Sequence, residues 1–213
     1  MAQQIGIIGS GIVGQTLANG FLKHGYAVMI GTNTPAKRDQ LAAATSARIG
    51  SFDETAKFGG IVVLATKGSA AEAALAAAGP ANLKGKIVID ATNPIADAPP
   101  VNGVLKFFTS LDDSLMERLQ RRVPDARFVK AFSCVGNGRM VDPDFKGTRP
   151  TMFICGNDAA AKSEVSHVLE QFGWDVADMG AVEGARAIEP LCILWCIPGL
   201  RDNSWTHALK LLR

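Results

Sequence analysis

The sequence predicts an α/β fold built on a doubly wound, mainly parallel sheet, and three observations carry that reading. Short β-rich runs alternate with helical patterns through residues 1–90, which is how stacked βαβ units read. One run, Ile61-Val62-Val63-Leu64-Ala65, is apolar without a break, as a strand buried on both faces requires. A glycine-rich turn, Gly9 to Gly14, stands directly between the first strand pattern and the first helical one.

Taken in order, residues 4–9 read as the first strand. A helix is expected over 12–24, where Val13, Leu17, Gly20, Phe21 and His24 recur at helical spacing and Gly25 is placed to stop it. Residues 27–31 read as a strand, 36–44 as a helix, 47–50 as a short strand and 61–65 as the buried one. An Ala-rich helix over 69–78 leads through a Gly-Pro turn to a fifth strand at 86–90. Asn93-Pro94, Pro99-Pro100 and Asn102-Gly103 then mark 91–108 as a long loop, and long loops at strand ends are often functional. Leu111, Leu115, Leu119 and Val123 make a helical stripe with Asp112 and Asp113 at its start and Arg121 and Arg122 near its end, as the macrodipole favours. A sixth strand is read over 127–132. The last third gives a strand at 152–155, a helix over 158–172, a strand at 175–179 and an apolar helix over 185–197. Pro198-Gly199 is expected to break that helix, and Asp202 to cap a terminal one carrying Trp205, Leu209 and Leu212. The organisation expected is a nucleotide-binding core over residues 1–133 and a small α+β extension over 134–213, packed as one unit.

The 213 residues suit one good-sized domain, or a core with an attached lobe, rather than two ordinary enzyme domains. With 47% apolar and 20% charged residues the composition is globular and excludes disorder. The 22 basic and 20 acidic residues leave a formal charge of +2, too small to imply nucleic acid or an anionic membrane, so a small molecule is the expected partner. No run approaches the roughly 18 apolar residues that span a bilayer, and residues 5–8 are too short and Gly-broken for a signal peptide; a cytoplasmic location is the expectation. Cys134, Cys155, Cys192 and Cys196 form no metal-like spacing with His24, His167 and His207, and they read as buried thiols with no metal site.

Gly9-Ser10-Gly11-Ile12-Val13-Gly14 is a GxGxxG, specific here because it follows a buried strand and opens an amphipathic helix. Gly9 allows the tight turn, Gly11 lets backbone approach a pyrophosphate, and Gly14 lets the helix lie close on the strand. The helix amino end then offers free N–H groups and positive dipole to a diphosphate. This is the Rossmann-type arrangement. After the second strand comes Gly31-Thr32-Asn33-Thr34-Pro35-Ala36-Lys37-Arg38, with no acid before Asp39. A carboxylate there would bind ribose hydroxyls and repel a 2′-phosphate; Thr32 and Asn33 with Lys37 and Arg38 instead make a phosphate site and favour NADP(H). Whether Lys37 or Arg38 reaches the phosphate stays open. Ala65-Thr66-Lys67 and Asn93-Pro94, at the carboxyl ends of the fourth and fifth strands, should line the ribose and nicotinamide. Asp90 reads as a loop-fixing acceptor rather than a general base.

Beyond the glycine turn, the chain carries Ile30-Gly31-Thr32, Asp90-Ala91-Thr92-Asn93-Pro94-Ile95, Val129-Lys130-Ala131-Phe132, Cys155-Gly156-Asn157-Asp158, Glu183-Gly184-Ala185-Arg186, Glu189-Pro190-Leu191 and a terminal Leu211-Leu212-Arg213. In this order they resemble the NADPH-dependent reductases of coenzyme F420, the deazaflavin, and the oxidoreductase domain of the STEAP metalloreductases. The resemblance spans nearly the whole chain. It implies Thr32, Asn33 and Lys37 at the 2′-phosphate, Thr66 and Asn93-Pro94 near the nicotinamide, and Val135, Gly136 and Asn137 beside the acceptor ring. Two positions depart from the family pattern: Ser133 replaces a usual Asn, and Asn33 a frequent Arg.

Hydride transfer between two stacked rings about 3–3.5 Å apart needs positioning rather than a protein acid or base. The expectation is therefore no catalytic side chain. The loop over 91–108, the segment 134–140 and the C-terminal helices exclude water, and the acceptor is deazaflavin F420 or a flavin. Two other readings stand beside this one: an NADP-dependent dehydrogenase or reductase of a small hydroxy acid or imine, and a non-catalytic NADPH sensor. Residues 191–197 are apolar all round, so a homodimer partner or the subunit itself must cover every face. Arg186 and Glu189 read as a surface ion pair.

Overall fold

Alternating side chains on buried strands dictate the layering. The computed structural model, which describes residues 2–212, has a main sheet of six parallel strands: β1 (Gln4–Ile8), β2 (Ala27–Gly31), β3 (Arg48–Gly50), β4 (Ile61–Leu64), β5 (Ile87–Asp90) and β6 (Arg127–Lys130). Their spatial order is β3-β2-β1-β4-β5-β6, the order of Rossmann-type sheets. In β4, Ile61 and Val63 face one apolar cluster and Val62 and Leu64 the other, so the unbroken apolar run is buried on both faces as expected. On the first face lie Leu17 and Phe21 of α1 (Ile12–Lys23) with Val165, Val168 and Leu169 of α7 (Ala159–Gln171). On the second lie Phe52 and Ala56 of α3 (Phe52–Phe58), Ala71 and Leu75 of α4 (Ala71–Ala78), and Leu115 and Leu119 of α6 (Leu115–Arg122). The short helices α2 (Arg38–Ala44) and α5 (Pro80–Leu83) complete the first half.

The last third adds a parallel pair, β7 (Thr151–Ile154) and β8 (Asp175–Asp178), on either side of α7. It joins the main sheet through an antiparallel bridge between Lys130 and Cys155. Met152 and Ile154 share one apolar cluster with Ile5, Ile7 and Val63 of the main sheet. Among the described residues, no helix is long and apolar enough to cross a membrane.

One element was not read from the sequence, and three expectations are corrected. Residues 52–58 form α3, which apolar periodicity alone did not disclose; Ser51 and Glu54 close a capping box that starts it. The helix expected to open at Leu111 begins at Leu115, because Ser114 and Glu117 make the stronger start signal, again a reciprocal capping box. Pro198 does not end the C-terminal helix. After the short α8 (Ala185–Ile188), α9 runs over Pro190–Asp202 with Pro198 inside it. A mid-helix proline costs about 3 kcal/mol, and tertiary packing offsets it: Gly199 lets the Trp205 ring lie where a Cβ would be 2.2 Å from Trp205 Cε3. The expected terminal helix is absent. Asn203 turns left-handed at φ 53, Ser204 N–H donates to the Pro198 carbonyl, and the chain returns as an irregular strap whose Leu209 carbonyl accepts from Thr151 N–H.

Candidate functional site

The turn from β1 into α1 sits where the strand order reverses, and its three glycines differ in what they face. Gly9 has φ +127, and a Cβ there would lie 2.4 Å from the Ala65 carbonyl oxygen, so β1 and β4 close on one another only through glycine. A Cβ on Gly14 would lie 2.0 Å from the Gly9 carbonyl oxygen, which is helix lying on strand. At Gly11 a Cβ would meet nothing within 4 Å. Gly11 is also the N-cap of α1, no side chain caps that end, and its first turn holds no acid. The amides of Ile12, Val13 and Gly14 therefore face an open, positively polarised space. Ile12 stands 64% exposed at its rim, and Val13 is half-buried. Ser10 Oγ donates to Thr32 Oγ1 at 3.1 Å, tying this turn to the end of β2.

Thr32 is buried, and its hydroxyl also accepts from Thr34 N–H at 3.2 Å. Asn33, Lys37 and Arg38 are exposed beyond it, and neither cation makes a salt bridge among the described residues. No carboxylate stands between Gly31 and Arg38.

At the carboxyl ends of β4 and β5, a cavity of about 280 Å³ is lined by Thr66, Lys67, Gly68, Ala91, Asn93, Ile95 and Asp97. Ala65 is buried behind it and Pro94 lies in the adjoining turn. A Cβ on Gly68 would lie 2.1 Å from the Asn93 carbonyl oxygen, so the two loops meet in van der Waals contact. Three buried polar atoms here have no partner: Thr66 Oγ1, Asn93 Oδ1 and Ser133 Oγ, one after each of β4, β5 and β6. Leaving such a group unpaired costs about 1–3 kcal/mol, and the three stand at the ends of adjacent strands of the sheet. Phe132 adopts φ 62, a left-handed conformation uncommon in a non-glycine residue. The expected strand over 127–132 therefore stops at Lys130, and the turn brings the Ser133 carbonyl to Asn93 Nδ2 at 3.0 Å.

Beneath this floor lies a network that sequence reasoning did not assemble. The Lys130 ammonium, fully buried, lies 2.7 Å from Asp90 Oδ2, 2.8 Å from Glu189 Oε1 and 2.9 Å from the Thr92 carbonyl oxygen. Burial alone would depress the ammonium, but the Asp90 and Glu189 carboxylates outweigh it and hold its pKa above the ordinary lysine value. Asp90 Oδ1 accepts from Thr92 N–H at 2.9 Å and Thr92 O–H at 2.6 Å, the loop-fixing role expected of it. Glu189 accepts from the amides of Leu115 and Met116 at the amino end of α6, both at 3.0 Å. The expected Arg186–Glu189 surface pair is thus wrong. Glu189 is buried against Lys130, and Arg186 bonds Glu117 instead, holding its carboxyl down at about 2. Sequence spacing along one helix suggested the first pairing; burial of Glu189 decides the second.

Of the segment assigned to the acceptor, Val135 is buried in the main apolar cluster, and Gly136 and Asn137 are half-buried. A Cβ on Gly136 would lie 2.6 Å from Trp195 Cη2. Trp195 is held from behind: its Nε1–H donates to the His207 carbonyl at 2.9 Å, and His207 Nε2 lies 2.8 Å from the Trp195 carbonyl oxygen. Cys134 and Cys155 are buried, which pushes both thiols up to about 12 and leaves them unreactive. Cys192 is buried too, while Cys196 is only partly so.

The family model of coenzyme F420-dependent NADP oxidoreductases matches residues 4–94. The chain is similar over its full length to a structure from Arthrobacter sp. FB24 assigned as an F420-dependent NADP-reductase, with 32% identity, 100% of both chains covered and a TM-score of 0.91. It is 28% identical to the metalloreductase STEAP3 of Rattus norvegicus over 93% of this chain, which spans only 39% of that protein. A reductive aminase from Aspergillus terreus, solved with NADPH, shares the fold at 18% identity and a TM-score of 0.68, over 95% of this chain and 64% of its own. The glycine turn, the carboxylate-free end of β2 and a full-length relative agree, and the chain belongs to the family of coenzyme F420-dependent NADP oxidoreductases.

Proposed function

We propose that this chain binds NADPH across the amino end of α1 and passes a hydride from its dihydronicotinamide to a flavin-like ring, deazaflavin F420 or a flavin. The observation that supports the reading is the set of buried, unpartnered atoms at adjacent strand ends: Thr66 Oγ1 and Asn93 Oδ1, whose residues line the cavity beyond β4 and β5, and Ser133 Oγ next to Asn93. Asn93 Nδ2 donates to the Ser133 carbonyl, which fixes the amide plane, and the Oδ1 acceptor, without a partner among the described residues, suits the N–H of a carboxamide. The open space over Gly11 suits a pyrophosphate against the α1 amides. Thr32 and Asn33, with Lys37 or Arg38, meet a 2′-phosphate where no carboxylate repels it.

In this reading the chain positions and does not donate protons. Asp90 and Lys130 are spent on one another and on Thr92, so neither offers an acid or base to the cavity. The acceptor ring lies beside Gly136 and Asn137, with Trp195 and the 91–108 loop keeping water out. Leu194 and Leu200 of α9 are exposed, and in this reading a second copy of the chain covers them.

Stopped-flow oxidation of bound NADPH tests the reading. Saturable oxidation by F420 or by a flavin is the expected result. Turnover only with imines or with the carbonyl counterparts of small hydroxy acids, or tight NADPH binding with no acceptor-dependent oxidation, would overturn it in favour of a dehydrogenase or a sensor.

A further inference from the structure

We infer that Lys130 is a positioning residue for the nicotinamide end of the cofactor, acting through Thr92; this rests on the proposed placement of that ring in the cavity lined by Thr66 and Asn93. Asp90 and Lys130 are cross-strand partners at the last positions of β5 and β6, so their side chains share one face of the sheet. A side-chain pair alone would tie two strand ends together, and apolar residues do that at lower desolvation cost. Lys130 does more, because its third contact is the backbone carbonyl of Thr92 in the loop beyond the strand.

Thr92 is thereby gripped at three atoms. Its N–H and hydroxyl go to Asp90 Oδ1, and its carbonyl to Lys130. The next residue is Asn93, which lines the cavity and whose buried Oδ1 has no partner among the described residues. Glu189 completes the grip from the junction between α8 and α9 and adds the amino end of α6 through Leu115 and Met116. The ammonium therefore locks a turn whose far side is the cavity wall, and it touches no ligand-facing atom itself. A misplacement of about 1 Å in such a wall lowers a hydride-transfer rate by about 10²-fold.

The test compares two ligands on the full chain: NADPH, and 2′-phospho-ADP-ribose, which lacks the nicotinamide. In the wild type the ring should improve affinity by about tenfold. In Lys130→Met that advantage should vanish while affinity for 2′-phospho-ADP-ribose stays within about twofold, since the adenosine and pyrophosphate groups lie over α1 and β2. Lys130→Met also leaves two buried carboxylates unpaired. Should it fail to fold, Thr92→Val gives the graded version: it removes only the hydroxyl bond to Asp90, leaves the ammonium paired, and should reduce the advantage in part. A folded Lys130→Met with the wild-type advantage, or a Thr92→Val with no change, overturns the inference alone. A wild type that gains nothing from the ring overturns it together with the proposed cavity assignment.

Discussion

Replacing Gly11 by alanine should separate ligand binding from folding. At Gly11 the backbone is extended, φ −75 and ψ −177, and an added Cβ meets no atom within 4 Å. Alanine there restricts the unfolded chain, worth about 0.4–1 kcal/mol, and gives back a few tenths as a poorer N-cap. The melting temperature should move by less than about 4 °C in a chain of this size. At Gly9 the same substitution meets the Ala65 carbonyl oxygen at 2.4 Å with φ +127. Overpacking and backbone strain together cost about 2–6 kcal/mol, lowering the melting temperature by about 4–24 °C. The assay is thermal unfolding with and without NADPH. At a hundred times its Kd the nucleotide should stabilise the wild type by about 2.7 kcal/mol. Gly11→Ala, whose methyl occupies the space assigned to the pyrophosphate, should lose most of that gain while keeping its own stability. A Gly11→Ala protein that NADPH protects as well as the wild type would refute the assignment of that space.

Further outcomes follow from other parts of the molecule. Asn33→Asp places a carboxylate at the end of β2, and titration should show NADPH affinity falling by about tenfold or more while NADH affinity holds or rises. Glu117, held at about 2 against an ordinary 4.5, stabilises the fold fully above pH 4.5 and loses that contribution as pH falls towards 2. Screening at the partly exposed Arg186 reduces the effect to about 1–2 kcal/mol, and Glu117→Gln should flatten the urea-midpoint profile across that window. Gly136→Ala drives a methyl into Trp195, which His207 holds from behind, and should raise KM for the acceptor while leaving NADPH affinity within about twofold. Leu194→Glu puts a charge on an exposed apolar position of α9 and should turn a dimer in sedimentation experiments into a monomer.

What could be read from the sequence was what lies close together in it. The β1–α1 turn, the β2 end and the unbroken apolar run at Ile61 each declare themselves within a few residues, and the sheet order follows from stacked βαβ units. The two capping boxes, at Ser51 with Glu54 and Ser114 with Glu117, are equally local, and attending to S-x-x-E would have placed both helix starts. The Asp90–Lys130–Glu189 network is different in kind. Its members lie in separate family-like segments, and nothing short of the β5–β6 register and the return of α9 says that they meet. Pro198 misled because its local cost is real and the packing that offsets it, Trp205 against Gly199, comes from a strap with no periodicity of its own. The site assignments divide the same way. Gly9, Gly11 and Gly14 show three distinct surroundings that their spacing implied, whereas the unpartnered Ser133 hydroxyl depends on the left-handed turn at Phe132.

The central claim is that a phosphorylated dinucleotide lies over the amino end of α1, and calorimetric titration of the intact chain with NADPH and with NADH at one ionic strength tests it most directly. The account predicts one saturable site per chain, with NADPH bound tighter by about tenfold or more. No heat with NADPH, or tighter binding of NADH, would contradict it.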